Sequence, residues 1–255
     1  MICTLLLAVI MLPFAGVAQK TVTAQSVIAN INSHTPVNLS GVEITGDLDL
    51  TKLENMKQES NNNSDKVYIS TVTSPVRFKN CTFSGKVLGF YNPDWDNPLS
   101  KHNAVYNTNF TAVVSFENCI FKKAVSFKYS VFEDGVSFAG SSFSDEAEFK
   151  YTKFEKGPKF TSSVFTGSTV FKYVEFPEGF DFSNVNFESR PDFKYAKFMK
   201  GGSFAAANFK SGSDFKYAGF SKSVNLKGAN FSGSNDFKYT TLDDEKTTIS
   251  ELVSK

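Results

Sequence analysis

Lysine and tyrosine recur as a pair six times in this chain: Lys128-Tyr129, Lys150-Tyr151, Lys172-Tyr173, Lys194-Tyr195, Lys216-Tyr217 and Lys238-Tyr239, always 22 residues apart. A cation beside an aromatic ring can hold an anionic polymer, a glycan or a protein surface. Copies at a fixed spacing suit a long, repetitive partner, because weak contacts then add. The same pairs also suit a structural ladder, in which each stacked aromatic pair contributes about 0.5–1.5 kcal/mol. Glu148, Asp192, Asp214 and Asp236 stand two residues before their lysines, so the strip is largely self-neutralised. Exposed ion pairs of this kind are individually weak, which favours the ladder over a binding strip.

Residues for catalysis are scarce. The only histidines are His34 and His102, and neither fits a Ser-His-Asp set or a metal-ligand spacing. The sequence contains no phosphate loop, dinucleotide fingerprint, HExxH, CxxC or nucleophile elbow. The segment 91–109 holds the single Trp95 between Asp94 and Asp96, with His102 nearby. One histidine and two aspartates lack a metal-site pattern, so a surface loop with Trp95 against a wall is the simpler reading than a ligand loop. No catalytic residue, metal or cofactor is expected. A net charge of +1 over 255 residues offers no field for nucleic acid, and no nucleic-acid partner is expected.

The elements that would position the lysines and tyrosines are written in the phenylalanines, 28 of them against one tryptophan and nine tyrosines. From Phe110 to Phe220 they follow one another at alternating steps of six and five residues, and Leu226, Phe231, Phe237 and Leu242 continue the series. A fixed period of 22 residues marks a repeat architecture. A helix is excluded. Residues five apart on a helix are turned by about 140° from one another, and Gly135, Gly157, Gly179, Pro158, Pro177 and Pro191 would break it. Two residues before most phenylalanines stands a small or β-branched residue, as at Val125, Ser130, Val136, Ser141 and Ala147. Residues two apart in a strand share a face. Each unit is therefore a short strand, small-x-Phe, with both ends inward. Four such strands make one square coil, and coils stack about 4.8 Å apart. The rings then form four internal ladders. Gly135, Gly157, Gly179 and Gly201 share one corner, where a positive φ is expected.

Ala207-Asn208-Phe209-Lys210-Ser211 and Leu226-Lys227-Gly228-Ala229-Asn230-Phe231 resemble the repeating unit of pentapeptide-repeat proteins, in the variant with Phe at the centre. The resemblance covers 110–242 and continues in broken form through Val42-x-Ile44, Leu48-x-Leu50, Val76-x-Phe78 and Cys81-x-Phe83. It implies an all-β solenoid, a right-handed quadrilateral parallel β-helix. The chain departs from the family in a sixth residue at every second corner. Phe180, where a small residue is expected, is the clearest misfit. A regular Phe-filled coil also leaves no cleft for a glycosidase-like carboxylate pair, so no enzyme is expected. Some family members mimic DNA and regulate topoisomerases. That alternative would need a strongly acidic surface and a cytoplasmic location.

The open ends of a β-helix need covers. Val27, Ile28 and Ile31 at helical spacing behind Thr23 predict a cap helix within 19–36. Thr248-Ile249-Ser250-Glu251 is a capping-box pattern that predicts a second cap within 243–255. Residues 37–109 read as irregular early coils with two loop insertions, at 54–66 and 91–109. The uncharged apolar run 1–18 ends in Gly16-Val17-Ala18 and reads as a signal peptide, although no Lys or Arg precedes it. The expected location is therefore periplasmic, cell-surface or secreted.

FKNCTF at 78–83 and FENCIF at 116–121 are one unit repeated, which places Cys81 and Cys119 at equivalent corners of adjacent coils. Stacked Cα atoms about 4.8 Å apart lie within disulfide range. A pair of small inward cysteines is the other reading. The chain as a whole reads as a non-enzymatic exported scaffold or spacer of the cell envelope, with a protein or glycan as partner. Its oligomeric state is left open.

Overall fold

The computed structural model describes residues 19–60, 66–95 and 104–253. The apolar run at 1–18, read from the sequence as a signal peptide, and Asp96 and His102 of the second insertion lie outside them.

The chain winds as a four-sided parallel β-helix. The earlier coils each make four short strands, most of two residues, and from Lys159 on the second face pairs through single-residue bridges. The first face carries the ladder Phe110, Phe132, Phe154, Phe176, Phe198 and Phe220, closed by Leu242. The second carries Phe78, Phe116, Phe138, Phe160, Phe182 and Phe204. The third runs from Phe83 and Phe121 to Phe231, and the fourth from Phe127 to Phe237. Phe176, Phe198 and Phe220 stack with centroids 5.1 and 4.5 Å apart and are buried. Neighbouring ladders meet edge to face, as at Phe160–Phe171, 79° between planes. Both geometries are favoured by the ring quadrupole, so phenylalanine can occupy nearly every ladder position of the regular coils.

The alternation of five and six has a backbone cause. The five-residue steps close through tight turns with a left-handed residue. Between the fourth and first faces it is the tyrosine, with φ of 57–63° at Tyr129, Tyr151, Tyr173, Tyr195, Tyr217 and Tyr239. Between the second and third faces it is Asn118, Gly140, Ser162, Asn184, Ala206 or Gly228. The turn is fastened by a bond from residue i+3 back to the ladder Phe, as from the Ser130 N–H to the Phe127 carbonyl, 2.9 Å. At the six-residue corners the sequence expectation needs correction: Gly179 and Gly201 have positive φ, but Gly135 and Gly157 do not. The longer step closes there without a left-handed residue. Gly157 is required for space, since any Cβ would overlap the Gly179 carbonyl.

Several inward small residues are polar, and their hydroxyls are used. Ser141 Oγ donates to the Phe116 carbonyl at 2.6 Å, Ser163 to Phe138 at 2.7 Å and Thr152 to Phe127 at 2.8 Å. Each bond reaches into the preceding coil, so a buried hydroxyl is satisfied while tying two coils together. The misfit at Phe180 is resolved one coil later. Its buried ring occupies the space a side chain at residue 202 would need, and residue 202 is glycine.

Helix α1 (Ala24–Asn32) covers the first coils, with Thr23 capping the Ser26 N–H and Ala24, Val27 and Ile31 buried. Helix α2 (Ile249–Val253) stands at the other end. Its capping box is formed: Thr248 N–H donates to Glu251 Oε2 at 2.9 Å and Glu251 N–H to Thr248 Oγ1 at 3.3 Å. The insertions contain more strand than their polarity suggests. Lys57–Ser60 pairs antiparallel with Lys66–Val72, which lies in register over seven residues with Ala104–Phe110. Both insertions thus extend the first face as one wing. The alternation in VYISTV and AVYNTNF supports it, but it lies off the phenylalanine period.

Candidate functional site

The six tyrosines form one continuous stack along the corner between the fourth and first faces. Their centroids are 5.0, 4.7, 4.8, 4.8 and 4.8 Å apart, and adjacent planes differ by 2–14°. Phe90 extends the column below Tyr129 at 5.7 Å. The stack follows from the turn: a left-handed residue at the same place in every coil projects its side chain the same way, one strand spacing above the last. The interior rings are 37–41% exposed and Tyr239, at the end, 50%. Because each interior ring is sandwiched between neighbours, that exposure is edge and hydroxyl rather than face.

The lysines turn inward on this column. Lys128, Lys150, Lys172, Lys216 and Lys238 hold their ammonium groups 4.9–5.4 Å from the centre of their own tyrosine ring. Lys194 instead bridges Asp192 at 3.3 Å and Asp214 at 3.4 Å. Burial lowers the Lys194 pKa, but these two carboxylates outweigh it and the net shift is upward. Near the start of the column, burial dominates: it lowers the Lys128 pKa and raises those of Tyr129 and Glu148. The aspartates have a second role that charge alone did not reveal. Asp192 and Asp236 accept from the Lys194 and Lys238 N–H groups at 2.9 Å, which pre-forms each turn from the residue just before the ladder Phe. Asp181, Ser203 and Asn225 do the same on the second face. A recurrent Asp, Asn or Ser before Phe was the available signal.

Cys81 and Cys119 occupy equivalent corners of adjacent coils, flanked by the in-register pairs Lys79–Glu117 and Thr82–Ile120. Both are buried free thiols in this structure. Each is also engaged with backbone carbonyls, Cys81 Sγ at 3.4 Å from Lys79 O and Cys119 Sγ at 3.5 Å from Glu117 O. They titrate as a pair. A hydrogen bond from Cys119 eases loss of the first proton from Cys81, and the second is then held on Cys119 well above the ordinary thiol range. His34 closes α1 with φ 54° and bonds Thr73 through Nδ1 at 2.8 Å. Pro93–Trp95 forms a single 3₁₀ turn with the Asp94 N–H bonded to Asn92. An aromatic group that sequence reading missed sits on the wing: Tyr68 and Tyr106 stack at 5.1 Å, and Lys52 lies 4.7 Å from the Tyr91 ring. Among the described residues, no three His, Cys, Asp or Glu side chains converge as metal ligands would.

A four-sided parallel coil with a central ladder residue and left-handed turns defines the class. The family model described as pentapeptide repeats (9 copies) matches residues 106–153 and 149–197. Over that stretch the repeat is similar to that of the pentapeptide-repeat family. No curated protein matches the chain.

Proposed function

We propose that this protein is a non-enzymatic, exported scaffold or spacer of the cell envelope whose tyrosine column presents repeated contacts to a partner. The observation that carries this reading is the unbroken stack of six exposed tyrosines, a straight row roughly 24 Å long at strand spacing. A rigid row of hydroxyls and ring edges suits a repetitive surface, and affinity then grows with the number of coils engaged. Of the two partner classes, protein and glycan, the geometry favours protein. Sugars stack on ring faces, and the faces of the four interior tyrosines are covered on both sides by neighbouring rings, which leaves only Tyr129 and Tyr239 with a face free of a tyrosine. Export is supported by the uncharged apolar run at 1–18; N-terminal sequencing of the protein from an envelope fraction should start at Gln19.

The test replaces Tyr173, Tyr195 and Tyr217 by Ser and measures melting and retention of envelope proteins on the folded variant. Loss of retention per folded molecule is expected. Unchanged retention with a lower melting temperature would reduce the column to a structural ladder.

A further inference from the structure

A groove of about 670 Å³ lies on the outer side of the second face, away from the tyrosine column. It crosses five coils, from Asn38–Ser40 through Arg77–Lys79, Val113–Glu117 and Gly135–Ser137 to Lys156–Lys159. Five coils are four spacings, or roughly 19 Å along the axis. Its floor has a physical origin. The outward positions of the central coils are Ser115 and Ser137, in register with Arg77 on one side and Lys159 on the other. Two short side chains between two long cationic ones leave a trough with charged ends. Gly135 and Gly157 leave one wall without side chains.

The charge is uneven. Arg77, Lys79, Lys156 and Lys159 line the groove, against the carboxylate of Glu117. Lys156 is paired with Asp134, and Lys159 donates to the Gly179 carbonyl. Arg77 and Lys79 are exposed, and no ion pair or side-chain hydrogen bond among the described residues engages their head groups. On a chain of net charge +1, this is a local cationic site that the overall balance hides.

We propose that this groove binds a segment of an acidic polysaccharide, with carboxylates on Arg77 and Lys79 at one end and near Lys159 at the other, and hydroxyls over Ser115 and Ser137. Arg77 presents a planar fork that matches a carboxylate in two bonds. The trough is long, with cationic and hydroxyl side chains along a largely apolar floor, which suits an extended glycan that presents both C–H faces and polar groups. Single-stranded nucleic acid is disfavoured because its bases need aromatic platforms, and the groove has none on its outer surface. Neither the tyrosine column nor export is required for this site.

Calorimetry of the full chain with a tetrasaccharide of uronic acid, its carboxyl-reduced neutral counterpart and a short oligothymidylate tests the proposal. Saturable binding of the uronate is expected, at least tenfold tighter than the neutral sugar and weakened by added salt. Arg77→Ser with Lys79→Ser should weaken it at least tenfold without shifting the melting temperature, and Arg77→Lys should lose less. Absence of saturable binding would overturn the proposal. So would equal affinity for the neutral sugar, tighter binding of the oligothymidylate, or a double variant that binds like the parent.

Discussion

A methyl group added at Gly202 would meet the edge of the Phe180 ring, well inside contact distance of three of its carbons. The ring has little room to yield. Phe176, Phe198 and Phe204 hold it at 5.6, 5.5 and 5.7 Å between centroids, and it is 1% exposed. Overpacking of this kind costs about 1–3 kcal/mol. Gly202 does not use a left-handed φ, so alanine also gains about 0.4–1 kcal/mol by restricting the unfolded chain. The expected net loss for Gly202→Ala is therefore about 1–2 kcal/mol, or roughly 2–8 °C in melting temperature at this chain length. Phe180→Ala alone should cost about 3–5 kcal/mol through its cavity. In the double variant the new methyl points into that cavity, so the two losses should fall short of their sum by about 0.5–3 kcal/mol. Denaturant melts of the four proteins measure this directly. A neutral or stabilising Gly202→Ala, or losses that simply add, would refute the idea that the two positions are one packing unit.

Phe198→Ala, in the middle of the first-face ladder, should cost about 3–5 kcal/mol in denaturant melts; a loss below about 1 kcal/mol would place the ring outside the core. Burial raises the Glu148 pKa above the unfolded value, so the folded state holds that proton more tightly and stability falls as pH rises from the ordinary carboxylate range through the folded pKa. Glu148→Gln should accordingly raise the melting temperature near about pH 8 and lose that advantage near about pH 3; an equal gain at both would exclude titration as the cause. Cys81 and Cys119 should resist alkylation in the native protein and both react after unfolding without reductant, and mass spectrometry showing a Cys81–Cys119 crosslink would contradict the free pair.

The ladders, the faces and the cysteine stack were legible in the sequence because inward and outward positions alternate locally and the 22-residue period repeats that choice without a slip. Thr23 and the Thr248–Glu251 box announced the end helices for the same reason, since a cap is decided within four residues. The positive φ of the tyrosines was not legible: glycine advertises a left-handed turn, whereas these tyrosines adopt one where they stack on their neighbours, helped at Tyr195 and Tyr239 by Asp192 and Asp236, which accept from the backbone N–H of the intervening lysine. Phe180 looked like an error until coil stacking placed it beside Gly202. The groove needed more still. Arg77 and Lys159 are 82 residues apart in sequence and three coils apart in space, and the count between them is broken by the second insertion. Sequence set what each coil looks like, because that is a matter of local alternation. Only the stacked structure decided which ring faces are covered and which side chains line up, because those depend on how one coil sits upon the next.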